Sequence, residues 1–339
     1  MRKKALVTGV RGQDGAYLSQ LLLEKGYEVI GTDRRRVDQD NWRFKYLGIE
    51  DDVQIRYMDL LDEGNINRTI KEEQPDEIYN LAAQSFVAAS FDQPTLTSNV
   101  DAMGVLRLLE AVRTFAPEAR FYQASTSEMF GKVVETPQKE STPFYPRSPY
   151  GVAKLFAHWM VKNYREAFNI YGCSGILFNH ESPLRGLEFV TRKITHHVAQ
   201  MNYGKTDPLV LGNMDASRDW GYAKEYVEGI WRMLQQDTPD DYVLSTGETH
   251  TVRNFVEWSF EIIGKEVVWE GEGSDEKGYD TKSGDVIVRI SEQFYRPAEV
   301  NTLLGDPTRA NDELGWKATT KAFELTKVMM ESDLALVKG

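Results

Sequence analysis

Tyr150 and Lys154 stand four residues apart in the stretch Tyr-Gly-Val-Ala-Lys. On a helix, positions i and i+4 share a face one turn apart, so this spacing sets a phenol beside an ammonium. The ammonium favours the phenolate and is expected to draw the tyrosine pKa down from about 10 toward the working range. Such a tyrosine takes a proton from a sugar or alcohol hydroxyl while a hydride leaves the same carbon. A bare Y-x-x-x-K spacing more often marks a solvent-facing helix, so its weight comes from its surroundings. Ser148 reads as the N-cap of that helix and Pro149 as its first helical residue.

A second constellation sits near the start. Lys4–Thr8 is a short apolar run, followed by Gly9, Gly12, Gln13, Asp14 and Gly15. An amphipathic stretch with Tyr17, Leu18, Leu21 and Leu22 at helical spacing comes next, with Gly26 as its stop. Strand, glycine turn and helix is the arrangement that binds a pyrophosphate at a helix N-terminus. The alternative for a glycine triplet is a turn that only needs positive φ. A second strand, residues 27–31, leads to Asp33, Arg34, Arg35 and Arg36. An acid here binds the ribose 2′-hydroxyl of NAD, whereas arginines accept the 2′-phosphate of NADP. Both are present, and both readings stay open.

The elements that must position these residues follow from alternation. Strands are expected over 53–58, 77–80, 120–124 and 173–178, with a helix over 100–112. Asp59 and Leu60 close the third strand. Leu81, Ala82, Ala83, Gln84 and Ser85 follow the fourth, small enough for a nicotinamide to lie against backbone. Ser125, Thr126, Ser127 and Glu128 follow the fifth. The pattern predicts an α/β fold: a Rossmann-type, doubly wound parallel sheet with ligands beyond the carboxyl ends of its strands. Gly9, Asp33, Asp59, Gln84 and Thr126 all fall at such ends. Beyond residue 178 the alternation becomes irregular. Helices are expected over 189–202, 222–235, 252–263 and 321–337, strands over 209–211 and 242–246, and an exposed hairpin or loop over 270–285. We therefore divide the chain into a dinucleotide-binding domain, 1–178, and a smaller mixed α/β substrate domain, 179–339, with some segments returning to the first.

Composition narrows the function classes. The 339 residues carry a net charge of -12, which argues against a nucleic-acid partner. Cys173 is the only cysteine, so no intramolecular disulfide or cysteine-rich metal site exists, which fits a reducing, cytoplasmic setting. After Met1-Arg-Lys-Lys4 only Ala5, Leu6 and Val7 are apolar, too short for a signal peptide, and no run reaches membrane-spanning length. His196 and His197 are adjacent on a helix and point apart, so no metal site is expected.

Taken with Gly9/Gly12/Gly15 and the Ser-Thr-Ser-Glu stretch, Tyr150 and Lys154 resemble extended short-chain dehydrogenases/reductases acting on nucleotide sugars. Longer stretches narrow the likeness: Asn80-Leu-Ala-Ala-Gln-Ser85, residues 122–131, residues 144–154, Leu177-Phe-Asn-His-Glu-Ser-Pro183, residues 188–193, Ser217-Arg-Asp-Trp220 and Arg296-Pro-Ala-Glu299. Together they resemble the GDP-mannose 4,6-dehydratase family from about Lys4 to Trp316. That resemblance implies a lyase with tightly bound, recycled NADP that oxidises C4, eliminates water across C5 and C6, and reduces C6. It implies Tyr150 with Lys154 as the C4 base, Thr126 on the same oxygen, and Glu128, aided by Ser127, as the acid/base of elimination. It places His180 and Arg185 on the cofactor side. Ser85, Thr126, Glu128, Asn179, Val190, Lys193, Arg218, Arg296 and Glu299 would bind GDP-mannose, and the protein would be a homodimer or homotetramer.

The chain departs from the family pattern at Asp33, where an uncharged residue is usual, at Leu184, where arginine is common, and at residues 36–43, whose charge replaces a serine-rich loop. Three other readings compete. A nucleotide-sugar 4-reductase or epimerase would need Tyr150 and Lys154 but no carboxylate at Glu128; a dehydratase for another GDP-hexose or heptose would keep it. A cofactor-sensing protein without chemistry would be expected to lack the intact Tyr150/Lys154/Thr126 set.

Overall fold

A computed structural model describes residues 2–35, 41–295, 298, 300 and 302–338. The first half alternates strand and helix as the apolar runs predict: β1 (Lys4–Thr8), β2 (Glu28–Asp33), β3 (Gln54–Tyr57), β4 (Glu77–Asn80), β5 (Arg120–Thr126) and β6 (Gly172–Leu177). The second half contributes β7 (Asn179–Glu181), β8 (Leu209–Leu211), β9 (Ser217–Arg218), β10 (Trp220–Tyr222), β11 (Tyr242–Leu244), β12 (His250–Thr251), β13 (Val267–Glu270), β14 (Lys277–Asp280) and β15 (Val286–Ile290).

The main sheet has seven strands in the order β3-β2-β1-β4-β5-β6-β11. Every pairing in it is parallel. Strand order reverses between β1 and β4, and a crevice opens there beyond the carboxyl ends. Ala5, Leu6 and Val7 are fully buried, as strands covered on both faces must be. On one face Tyr17, Leu18 and Leu22 meet Tyr226, Ile230 and Trp316. On the other, Leu108 and Val112 meet Phe121 and Val161. Segments from the second half join the main sheet: β11 extends it, and the Ala223–Met233 helix packs on the Gln13–Glu24 helix. The smaller sheet, β13-β14-β15-β8, is mixed, and its core includes Trp220, Phe255, Phe260 and Met329.

Several local expectations needed correction. The polar Glu63–Glu73 helix has no strong apolar stripe to predict it, because it buries little beyond Ile66, Thr69 and Ile70. Trp42–Leu47 is helical, although a loop is expected through Arg43. The stretch expected as a helix from Val100 begins as a π-helical turn, Asn99–Met103, before the Gly104–Phe115 helix. Within 270–285 the hairpin alternative holds, β14 pairing antiparallel with β13 and β15, but the exposure does not: β14 is an inner strand with Gly278 and Asp280 buried. Among the described residues no helix is long and apolar enough to cross a membrane, and no group of three or more His, Cys, Asp or Glu residues could hold a metal ion.

Candidate active site

A cleft of about 630 Å³ opens at the reversal point between β1 and β4. Its floor is the glycine turn. Gly9 has φ +63°, and a Cβ there would lie 2.8 Å from Ala82 Cα, so only glycine lets the turn approach the β4 loop this closely. Thr8 Oγ1 accepts from the Leu81 and Ala82 amides at 3.1 and 3.0 Å, tying the two strand ends together. The Gln13–Glu24 helix has Gly12 at its N-cap and no side-chain cap, which leaves its first amides for an anion.

The catalytic candidates converge on this cleft. Thr126, Ser127, Glu128, Tyr150 and Lys154 all line it. The Ser148 hydroxyl caps the Pro149–Phe168 helix, accepting from Gly151 N at 3.0 Å, and Pro149 follows at N1, as the sequence predicts. Lys154 Nζ sits 5.8 Å from the Tyr150 ring centroid and donates to Ala124 O at 3.0 Å. Thr126 closes β5 and caps the next turn by accepting from Glu128 N at 3.2 Å. Ser125 lines the cleft as well, with its hydroxyl 3.2 Å from His158 Nδ1.

One electrostatic expectation is overturned. The Tyr150 phenol is raised above its ordinary pKa, not lowered. Burial is the main cause, and the Asp101 carboxylate adds to it, while a hydrogen bond from Thr126 works the other way. Burial also lowers Lys154, against the pull of Asp101 and Asp14. Helical spacing brings the phenol and ammonium together but carries no information on desolvation, which dominates here.

Around the turn, Gln13 and Asp14 are tied to β7. His180 Nε2 lies 2.8 Å from Asp14 Oδ2, Nδ1 lies 2.8 Å from Phe178 O, and the imidazole stacks on Tyr226 at 4.8 Å. Gln13 donates to His180 O and accepts from Ser182 Oγ. Burial opposes a charge on either partner, but mutual attraction wins: the His180 pKa is raised and that of Asp14 lowered. Arg185 lies 3.6 Å over the Phe189 ring, and Phe189 meets Phe86 edge-on at 6.0 Å, joining the two walls at the rim.

The opposite wall carries Asn179, Val190, Lys193 and Arg218, with Ser85 on the β4 side. Lys193 Nζ lies 3.6 Å over the Phe294 ring, and burial lowers its pKa. Leu81 and Ala83 line the cleft, whereas Ala82 and Gln84 do not. The Gln84 side chain is engaged elsewhere, donating to Thr97 Oγ1 of the Pro94–Ser98 helix at 3.2 Å and accepting from Phe86 N at 2.8 Å. Asp33, Arg34, Arg35, Asp59 and Leu60 lie outside this lining, at or just beyond the ends of β2 and β3. Leu184 is wholly buried. Arg36, Arg296 and Glu299 fall outside the described residues.

Two site residues escape a reading of the sequence. Arg11 Nη1 stands 3.2 Å from Asp33 Oδ2 and its Nε donates to Asn41 Oδ1, so a cation accompanies the acid at the end of β2. Nothing in the local pattern signals that pairing. Asp101 is fully buried in the π-turn. It does have a signal: it falls on the same helical stripe as Val105, Leu108 and Val112, a carboxylate on an apolar face.

A parallel Rossmann sheet presenting a Tyr/Lys pair beside a pyrophosphate-type glycine turn defines the extended short-chain dehydrogenase/reductase architecture. Solved structures share it: the UDP-glucose 4-epimerase of Thermotoga maritima superposes with a TM-score of 0.81 at 21% identity, covering 98% of this chain and 99% of the other. The dTDP-glucose 4,6-dehydratase of Bacillus anthracis gives 0.79 at 20%, covering 99% and 97%. At the sequence level, the family profile "GDP-mannose 4,6 dehydratase" matches residues 6–329. A GDP-mannose 4,6-dehydratase of Vibrio cholerae is 52% identical over 355 residues, covering 100% of this chain and 95% of the relative. A Homo sapiens GDP-mannose 4,6 dehydratase is 51% identical over 345 residues, covering 99% and 93%. The chain belongs to the GDP-mannose 4,6-dehydratase family.

Proposed function

We propose that the chain is a lyase converting GDP-mannose to GDP-4-keto-6-deoxymannose and water, using a tightly bound NADP that is restored in each turnover. The observation that carries this reading is that Thr126, Glu128, Tyr150 and Lys154 face one cleft whose other wall offers Asn179, Lys193 and Arg218. The residues fit a dinucleotide: the close-packed Gly9 turn and the uncapped helix N-terminus suit its pyrophosphate. Arg34 and Arg35, with Arg11 beside Asp33, suit a 2′-phosphate. When bound, the nicotinamide supplies the redox step, taking hydride from C4 and returning it to C6.

The chain's own groups handle the protons. Tyr150, supported by Lys154, takes the C4 hydroxyl proton, and Thr126 holds the oxygen as it becomes a ketone. That ketone acidifies C5, whose proton Glu128 removes. The same proton, passed on by Glu128 with Ser127, leaves with the C6 hydroxyl as water. A proton from solvent adds to C5 and Tyr150 gives up the one it took from the C4 hydroxyl, so one water is lost overall and C4 stays oxidised. Arg218 and Lys193 serve the anionic GDP portion, and Arg296 and Glu299 are proposed to bind the substrate as well. Mass spectrometry of the protein incubated with GDP-mannose tests this. A product lighter by one water is expected; a reduced or epimerised sugar with no water lost would overturn it.

We further propose a cytoplasmic homo-oligomer, a dimer or a tetramer built from dimers. Val152, Phe156 and Trp159 form an exposed apolar stripe on the Tyr150 helix, 56%, 38% and 51% exposed, and Leu96 and Met103 are also exposed. Light scattering that finds a monomer would remove this reading.

A further inference from the structure

One buried ionisable group has no part in the mechanism above. Asp101 has no exposed surface, and it sits in the π-helical turn that packs on the Tyr150 helix. Such single π-turns inside helices recur at functional sites. Its Oδ1 accepts from Gln84 N at 2.7 Å and so holds the Leu81–Ser85 loop. Its Oδ2 is buried with no hydrogen-bond partner among the described residues. Leaving a carboxylate oxygen this way is costly unless a nearby positive charge compensates. The charge that acts on it is Lys154. Lys154 is itself only 3% exposed and donates to a neutral carbonyl, Ala124 O, which does not balance an ammonium.

We propose that Asp101 is a positioning residue that acts through Lys154: it is the buried counter-charge that keeps the ammonium protonated beside Tyr150. It also anchors the loop that carries Ser85. The inference rests on the Tyr150/Lys154 reading above, in which Lys154 works as a cation. Burial pushes the Asp101 carboxyl up to about 6, so it is ionised at neutral pH and above. The groups around the pair come from every packed element, the Val87–Asp92 helix on the Tyr150 helix bringing Asp92. The Tyr150 helix presents Tyr150, Lys154 and His158, and the Gly104–Phe115 helix presents Arg107, which donates to Asn99 O and Leu60 O. The Pro94–Ser98 helix brings no titratable group. Asp14, Glu128 and Arg185 act from the cleft side.

Asp101→Asn separates counter-charge from anchor, because the amide oxygen still accepts from Gln84 N. The variant is expected to keep the KM for GDP-mannose while the alkaline limb of its kcat profile moves down by about one pH unit, as for loss of a neighbouring opposite charge. At alkaline pH kcat should be about tenfold lower. With arginine at position 154, whose guanidinium stays protonated, Asp101→Asn should no longer move that limb. ¹³Cε-lysine NMR reads the same property without turnover, the Lys154 signal being the one lost in Lys154→Arg. In the unmodified protein it should remain protonated through pH 8, and in Asp101→Asn it should titrate lower. The proposal fails if Lys154 is neutral at pH 7.5 in the unmodified protein, or if Asp101→Asn leaves its titration unchanged. Because the NMR titration needs no activity, it decides the role of Asp101 even if the dehydratase reading fails. The unmodified protein's titration alone decides if the variant does not fold.

Discussion

The Glu128 carbonyl oxygen lies 2.9 Å from the point where a Cβ on Gly151 would stand. The turn that carries the proposed acid/base therefore rests directly on the first turn of the helix that carries Tyr150 and Lys154. Placing alanine at a glycine inside a helix ordinarily adds stability, about 0.5–1 kcal/mol. Here the methyl group would meet a backbone oxygen that cannot swing away. Gly151→Ala should instead destabilise the protein by about 1–3 kcal/mol, as overpacking does, and lower dehydration as the Glu128 turn shifts. Thermal unfolding with steady-state turnover checks both; a more stable variant with normal turnover would contradict the contact.

Glu128 separates a dehydratase from a reductase or epimerase. Glu128→Gln keeps the size of the side chain and removes the base. Reduced nicotinamide should still appear on mixing with GDP-mannose, while water loss falls by about 10²-fold or more. Tyr150→Phe should block both. In the unmodified protein, substrate deuterated at C4 should yield product deuterated at C6. Elimination at the normal rate in Glu128→Gln would show that another group is the base.

Arg218→Ala should weaken the GDP-sugar far more than the cofactor. One charge-assisted contact to a diphosphate is worth roughly 1.5–3 kcal/mol, or about 10- to 150-fold in Kd. Titration calorimetry with each ligand makes the comparison, and equal losses would remove Arg218 from the substrate wall.

The pairing of Arg11 with Asp33 bears on the choice of cofactor. Nucleotide released on denaturation should be NADP. Arg11→Met takes away a cation 3.2 Å from the Asp33 carboxylate, leaving more negative charge where a 2′-phosphate would lie. It should reduce the preference for NADP over NAD severalfold in binding assays. NAD released from the unmodified protein, with no preference in solution, would mean that Asp33 prevails over Arg34 and Arg35.

The His180–Asp14 pair predicts a pH dependence of stability. His180 has a raised folded pKa, so its contribution is complete below the unfolded value, about 6.5, and is lost as pH rises through the folded one. Asp14 has a lowered folded pKa, so its contribution is present above about 3.9 and is lost as pH falls through the folded value. The pair therefore stabilises most between those limits. Urea unfolding at pH 5.5 and 8.5 should show a loss of stability in the unmodified protein at the higher pH. His180→Gln should reduce that difference; an unchanged difference would remove His180 as its source.

Much of this protein is legible in its residues because the relevant forces are local. Ser148 and Pro149 specify the start of the Tyr150 helix through backbone geometry alone, and the apolar runs at 4–8 and 77–80 specify buried strands. The glycine spacing after Thr8 predicts a tight turn, and four-residue spacing brings Tyr150 and Lys154 together. What the tertiary structure decided is where separate elements meet. His180 reaches Asp14 across 166 residues of sequence, and Gly151 receives the Glu128 turn. The turn that carries Asp101 comes to pack on the helix that carries Lys154, and Arg11 comes to face Asp33. Asp101 itself lies on a periodic stripe, but none of these pairings has a periodic signature, because each depends on how separate elements pack against one another. The direction of the Tyr150 pKa departs from the sequence-based expectation for the same reason: desolvation belongs to the packed whole, and no spacing along the chain encodes it.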